Sequence, residues 1–242
     1  MIIRAKYTKT GTMVYLSHLD LVRVFERAFR RISLPMAFTQ GYNQHPIISF
    51  AAPLSLGVSS TAEYLEVVLS EAVDPNDFIN QMNETLPQEI QIKKAVLKAE
   101  KQPKSLMHEV ALVDYKIRLT AENMTATELQ ESLTDFLGRE TIIIEKKAKP
   151  SKGRGRPGHK KTRQIDLKTF IHQMSLSSNK DHYFDIRLKI LVFDHGTVKP
   201  SVVMKEWLMH AQIPVHPEDL DIERTEIYKL NQQGAFIPML QE

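Results

Sequence analysis

Cysteine is absent from all 242 residues. Disulfides, thiol catalysis and thiolate-held clusters are thereby excluded, and the composition fits a cytoplasmic chain. Long hydrophobic runs are missing too, since no stretch approaches the roughly 18 apolar residues of a membrane-spanning helix. The first residues, MIIRAKYTKTG, read as a short amphipathic strand rather than a signal sequence, so no membrane partner is expected. Nine histidines occur with no H-x-x-x-H pair among them. Without cysteine that leaves no zinc motif, and neither a metal nor a cofactor is expected.

What is present suffices for a core: 42% of the residues are hydrophobic, enough for one large domain or two of ordinary size. The formal net charge of +3 hides a polarised chain. Nine of the 32 lysines and arginines fall between Lys146 and Arg163, in KKAKPSKGRGRPGHKKTR, which contains no acid. The other 23 face 29 acidic residues, so the rest of the chain carries −6. This run has almost nothing apolar to bury and reads as a long loop between strands. Its charge density attracts polyphosphate by releasing counterions, which makes Lys152, Arg154, Arg156, Lys160, Lys161 and Arg163 candidate nucleic-acid contacts. Arg154-Gly155-Arg156-Pro157 also resembles the core of an AT-hook, a minor-groove DNA reader. Four such residues arise easily in any Gly-Arg-Pro loop.

The stretch from Ser17 to Ser60 carries the densest signal. Ser17 with Asp20 three residues on predicts a capped helix start, and Leu21, Phe25, Ala28, Phe29 and Ile32 recur at helical spacing until Pro35. Arg23, Arg27, Arg30 and Arg31 make a stripe on the other side, interrupted by Glu26. One reading is a solvated face on which Glu26 pairs with Arg23 or Arg30. The other is phosphate binding, favoured by four arginines and no lysine, because guanidinium grips phosphate with two parallel hydrogen bonds. The segment Gln40 to Pro46 then reads as a defined loop, with Gly41 and Asn43 tolerant of positive φ. Either it braces a sheet, or Tyr42 stacks on a base while Asn43 and His45 make polar contacts.

The order of elements suggests a repeated unit. Ile2 to Tyr7, extended through Met13 to Leu16, reads as a first strand, followed by the arginine helix and extended material from Met36 to Phe50. Tyr64 to Leu69 is a strand, Asp74-Pro75 opens a second helix, and Ile90 to Leu97 closes a βαββαβ order. Lys98 to His108 is polar and holds Pro103, so a linker is placed at 99–108 between domains 1–98 and 109–242. The second half repeats the order: a strand over 111–119, a helix boxed by Thr125 and Glu128 and ended at Gly138, strands over 141–145 and 184–192, a helix over 200–210, and a strand over 221–230. The expected fold is α+β, two tandem ferredoxin-like (βαββαβ) domains with antiparallel sheets, and the basic loop at 146–163 lies in the second.

The phrases YLSHLDLVRVFERAFRR, QGYNQHPIISFAAPLSLGVSSTAEYLEV and RQIDL resemble the bacterial family of radical-SAM-linked proteins, a domain of unknown function. The resemblance is long and ordered over residues 1 to about 100 and looser beyond. Its members stand alone or fused behind a radical SAM protein, often encoded beside ribosomal-protein genes, which implies an association with RNA or ribosome modification. A radical SAM enzyme holds its iron–sulfur cluster with three cysteine thiolates, and this chain has none. The expectation is therefore an RNA-binding accessory module without the radical chemistry, with ribosomal or transfer RNA and a radical SAM protein as partners and RNA favoured over DNA. Two alternatives remain open. One is a ribonuclease using His18 or His45, since the twin layout is similar to CRISPR-RNA processing endonucleases, although their C-terminal glycine-rich loop is missing here. The other is a protein–protein adaptor that touches no nucleic acid.

Overall fold

A computed structural model describes residues 1–99, 105–122, 124–147, 162–180, 182–194 and 196–241. In chain order its elements are β1 (Ile2–Lys9), α1 (His18–Arg31), β2 (Ile48–Phe50), β3 (Ser59–Val68), α2 (Pro75–Thr85), β4 (Ile92–Lys98), β5 (Leu112–Thr120), α3 (Ala126–Gly138), β6 (Ile143–Lys147), β7 (Thr162–Asp166), β8 (Ile171–Lys180), β9 (Tyr183–Leu191), α4 (Pro200–His210), β10 (Asp221–Leu230) and β11 (Phe236–Pro238). The fold is mixed α+β with mostly antiparallel strand pairs. The chain divides into two compact units, Met1–Ile117 with Val192–His195 and Asp221–Glu242, and Arg118–Leu191 with Gly196–Leu220.

In the first unit β1 lies between β4 and β3, antiparallel to both, and β2 pairs antiparallel with β3 through Ile48↔Val67 and Phe50↔Leu65. The strand order is thus β4-β1-β3-β2. The other end of β3 takes β10 as a parallel neighbour, Arg224 opposite Ser60. Alternation along β1 sends Ile3, Ala5 and Tyr7 to the face covered by α1 and α2, where they meet Phe25, Phe29, Phe78 and Met82. Tyr7 meets the Phe25 ring edge-on at 4.9 Å between centroids. The opposite face of β1 is not solvated. Arg4 donates to Glu66 at 2.6 Å, to Glu109 at 2.7 and 2.9 Å and to the Met239 carbonyl at 3.1 Å, while Lys6 pairs with Glu226 at 2.7 Å. The amphipathic strand expected at the N-terminus is therefore buried on both sides, with Arg4 neutralised by Glu66 and Glu109 and Lys6 by Glu226. Residues 105–109 belong to this unit too, where Leu106 N–H donates to Ser49 Oγ at 3.0 Å.

The first strand ends earlier than its sequence suggests. Gly11 takes φ +53, and a Cβ there would stand 2.8 Å from Glu89 Cγ, so the chain turns and Gly11–Tyr15 winds into a 3-10 helix instead of continuing as strand to Leu16. α1 then starts at the expected cap: Ser17 Oγ accepts from Asp20 N–H at 3.2 Å and donates to Asp20 Oδ2 at 2.7 Å. Ser17→Ala is expected to cost about 1 kcal/mol, read from urea unfolding. The Ser17 hydroxyl, and after it Arg23, holds the Asp20 carboxyl below its ordinary range. That contribution exists above the ordinary carboxylate pKa and disappears as pH falls through the lowered value, so the gap between parent and variant narrows in acid.

In the second unit α3 starts with the reciprocal box of Thr125 and Glu128 and ends at Gly138, as its sequence implies. α4 covers Pro200–His210 and buries Val203, Met204, Trp207 and Leu208. β6 pairs antiparallel with β7 in a two-stranded sheet, and β9 pairs with β8, a strand without a clear signal in the sequence. The reason is a pair of register shifts, between Ile171 and Gln173 and between Leu176 and Ser178, which break the period-2 alternation. Among the described residues no helix is long and apolar enough to cross a membrane.

Candidate functional site

Successive residues of α1 are rotated by about 100°, so its sequence separates into three faces. Leu21, Phe25, Ala28 and Phe29 are buried against the sheet. Arg23, Arg27, Arg30 and Arg31 are all exposed on the far side. Arg23 is tied to Asp20 at 3.0 Å, whereas Arg27, Arg30 and Arg31 have no ion pair among the described residues, and Glu26 pairs with none of them. Between these faces run His18, Val22 and Glu26, one turn apart.

The expected loop is closed by its own backbone. Thr39 N–H donates to the His45 carbonyl at 2.9 Å, His45 N–H donates to Thr39 Oγ1 at 3.1 Å, and Ile47 N–H donates to the Ala37 carbonyl at 3.0 Å. Its base is pinned to the edge of β3, where Ala37 N–H donates to the Val68 carbonyl at 2.8 Å. Gly41, at φ +131, lets the tip reverse. Tyr42 there is fully exposed, and Asn43 and His45 are exposed beside it.

Behind the loop lies a cleft of about 330 Å³. His18, Val22 and Glu26 form its helical side, and Pro46, Ile48, Phe50 and Met107 supply apolar surface. The His18 ring stands edge-on to Phe50 at 5.3 Å. His45 does not line this cleft, so the structure does not gather the two histidines into it. A smaller void of about 10 Å³ shares His18, Phe50, Ala51 and Pro53 with the cleft and reaches Tyr7, Lys9 and Glu63.

That end of the unit holds a buried charge cluster. Arg224, 3% exposed, donates to both oxygens of Glu63, 4% exposed, at 3.0 and 3.1 Å. It also donates to the Ala52 carbonyl at 2.8 Å, the Pro53 carbonyl at 3.1 Å and the Tyr115 hydroxyl at 3.3 Å. Lys9 Nζ donates to the carbonyls of Val14 at 3.3 Å and Leu16 at 2.8 Å. Burial draws the Lys9 ammonium below its ordinary value and pushes the Glu63 carboxyl up against the pull of Arg224. These groups hold the backbone on both flanks of the cleft: 14–16 leading into α1, and 52–53 following β2. In the sequence their one visible sign is charge interrupting the apolar run AEYLEV, while Arg224 sits in the mostly polar DIERTEI and carries no such mark.

Of the basic run, Lys152, Arg154, Arg156, Lys160 and Lys161 lie outside the described residues, and Arg163 is exposed in β7, opposite Lys146. No group of metal-binding side chains occurs among the described residues.

A family model matches residues 3–200, and its description reads "Uncharacterized protein conserved in bacteria (DUF2344)". The chain belongs to this family. The match runs through α1, the Tyr42 loop and the cleft, and stops at the first residue of α4. No curated protein matches the chain in sequence. Among solved structures it is similar to a chain of the "Crystal Structure of a Cbf5-Nop10-Gar1 Complex", at 8% identity and TM-score 0.48, covering 95% of this chain and 50% of that one. It is also similar to a chain of the "Crystal structure of the archaeal box H/ACA sRNP Nop10-Cbf5 complex", at 9% identity and TM-score 0.44, covering 92% and 46%. The family protein thus spans about half the length of those chains, and likeness at this level carries no conclusion about function.

Proposed function

We propose that this chain is an RNA-binding accessory module that presents ribosomal or transfer RNA to a radical SAM modification enzyme. The observation that carries the RNA reading is the exposed face of α1, where Arg27, Arg30 and Arg31 stand without an anionic partner among the described residues. Unpaired guanidinium groups in a row are suited to successive phosphates, which they can grip bidentately. The exposed ring of Tyr42 on a braced loop adds a stacking platform, with Asn43 and His45 beside it. Lys152, Arg154, Arg156, Lys160, Lys161 and Arg163 extend the basic surface in this reading on the strength of their charge. The radical SAM partner rests on the family resemblance, and with no cysteine in the chain the cluster belongs to that partner.

The architecture we propose for this role is two ferredoxin-like domains in tandem, 1–98 and 109–242. The β4-β1-β3-β2 order of the first unit, with helices after β1 and β3, supports the first of them.

Titration of the full chain against total RNA over a salt series tests the function. Saturable binding that weakens steeply with salt is expected, and Tyr42→Ala should cost about 1–3 kcal/mol of it through lost stacking. The variant should fold normally, because the ring is fully exposed. Absence of RNA binding at low salt would turn the reading to a protein–protein adaptor, and RNA cleavage abolished by His18→Ala or His45→Ala would turn it to a ribonuclease.

A further inference from the structure

We infer that the cleft beside α1 is a binding pocket for a single guanine base of the bound RNA. This inference rests on the RNA-binding reading. The cleft, about 330 Å³, has the size of a small-ligand site. Val22, Ile48, Phe50 and Met107 offer it apolar surface that suits the faces of a flat ring. Glu26 also lines it, half-buried, and its carboxylate has no hydrogen bond or ion pair among the described residues.

That carboxylate selects the occupant. An ionised carboxylate only accepts, and it offers two oxygens side by side, so the ligand must present N–H donors and cannot place an anion there. Among the four bases, guanine alone carries two adjacent N–H donors on its pairing edge, the ring N1–H and the exocyclic amino group. Adenine and cytosine set one donor beside an acceptor, and uracil sets one donor between two acceptors. A carboxylate therefore meets guanine with two parallel hydrogen bonds and meets each of the others with one, leaving an oxygen facing an acceptor. The flanking phosphates have their own place: Arg23 and Arg30 lie about 40–60° further round α1 than Glu26, and Arg27 about 100°. The base enters on one face of the helix while the backbone runs along the next.

The test is calorimetric titration of the full chain with guanosine, inosine, adenosine, cytidine and uridine 5′-monophosphates. Inosine lacks only the exocyclic amino group. Guanosine monophosphate should bind at least about tenfold more tightly than inosine monophosphate and than the other three, in keeping with one lost charge-assisted hydrogen bond. Glu26→Gln should abolish that preference while leaving the unfolding midpoint unchanged, since the side chain has no partner among the described residues. Equal binding of guanosine and inosine monophosphates, or a preference that survives Glu26→Gln, overturns the inference. A parallel titration with polyuridine separates it from the broader reading. Salt-dependent polyuridine binding without guanine preference sinks the pocket and leaves the RNA module standing. Glu26-dependent guanine binding with no polyuridine binding supports guanine recognition by the cleft but overturns the placing of that base in a bound RNA.

Discussion

Arg224→Met is expected to destabilise the protein by about 3–5 kcal/mol, because it strands a buried carboxylate. Glu63 would lose both guanidinium hydrogen bonds, and with them the nearest compensating charge in a site almost without solvent. The carbonyls of Ala52 and Pro53 would lose a donor at the same time. Chemical unfolding at neutral pH measures the loss. The double change Glu63→Leu with Arg224→Met removes both charges, so it should be considerably more stable than the sum of the two single variants implies. A loss below about 1 kcal/mol for Arg224→Met alone would mean that water reaches the pair, contrary to its burial.

The triple substitution Arg27→Gln, Arg30→Gln and Arg31→Gln should weaken binding to RNAs of every sequence about equally. On a single strand each neutralised phosphate contributes about 0.7 to the slope of log K against log salt, so three lost contacts flatten it by about 2. Folding should be unaffected. All three side chains are exposed and unpaired among the described residues, and glutamine suits a helix nearly as well as arginine. An unchanged slope would assign these arginines to an ordinary solvated face and remove the main support for the RNA reading. Combining them with Tyr42→Ala distinguishes phosphate grip from base stacking, since only the former alters the salt dependence.

Local chemistry was legible where it depends on neighbours in the chain. The cap at Ser17, the box at Thr125 and Glu128, the proline start of α2 and the bounds of α4 and β10 follow from short-range hydrogen bonding and period, and the structure places them as read. The arginine face of α1 belongs to the same class, because 3.6 residues per turn decides which side chains lie together. β8 escaped notice because its bulges erase the alternation, and the run from Met13 to Leu16 looked like strand because nothing local reveals that Glu89 approaches Gly11.

The candidate pocket shows the other side of this division. Val22 and Glu26 look like routine outward positions of a helix, and Phe50 like one apolar residue in a weak strand. They form a cleft because β2 pairs along β3 and brings Phe50 opposite His18. The pairing of Glu63 with Arg224, across 161 positions, is equally invisible in the chain. Helix faces and caps are set by contacts a few residues long, so they can be read one segment at a time. Which charges are buried together, and which surfaces close on a cavity, depends on strand order and register, and these emerge only when the whole unit competes to bury its apolar faces.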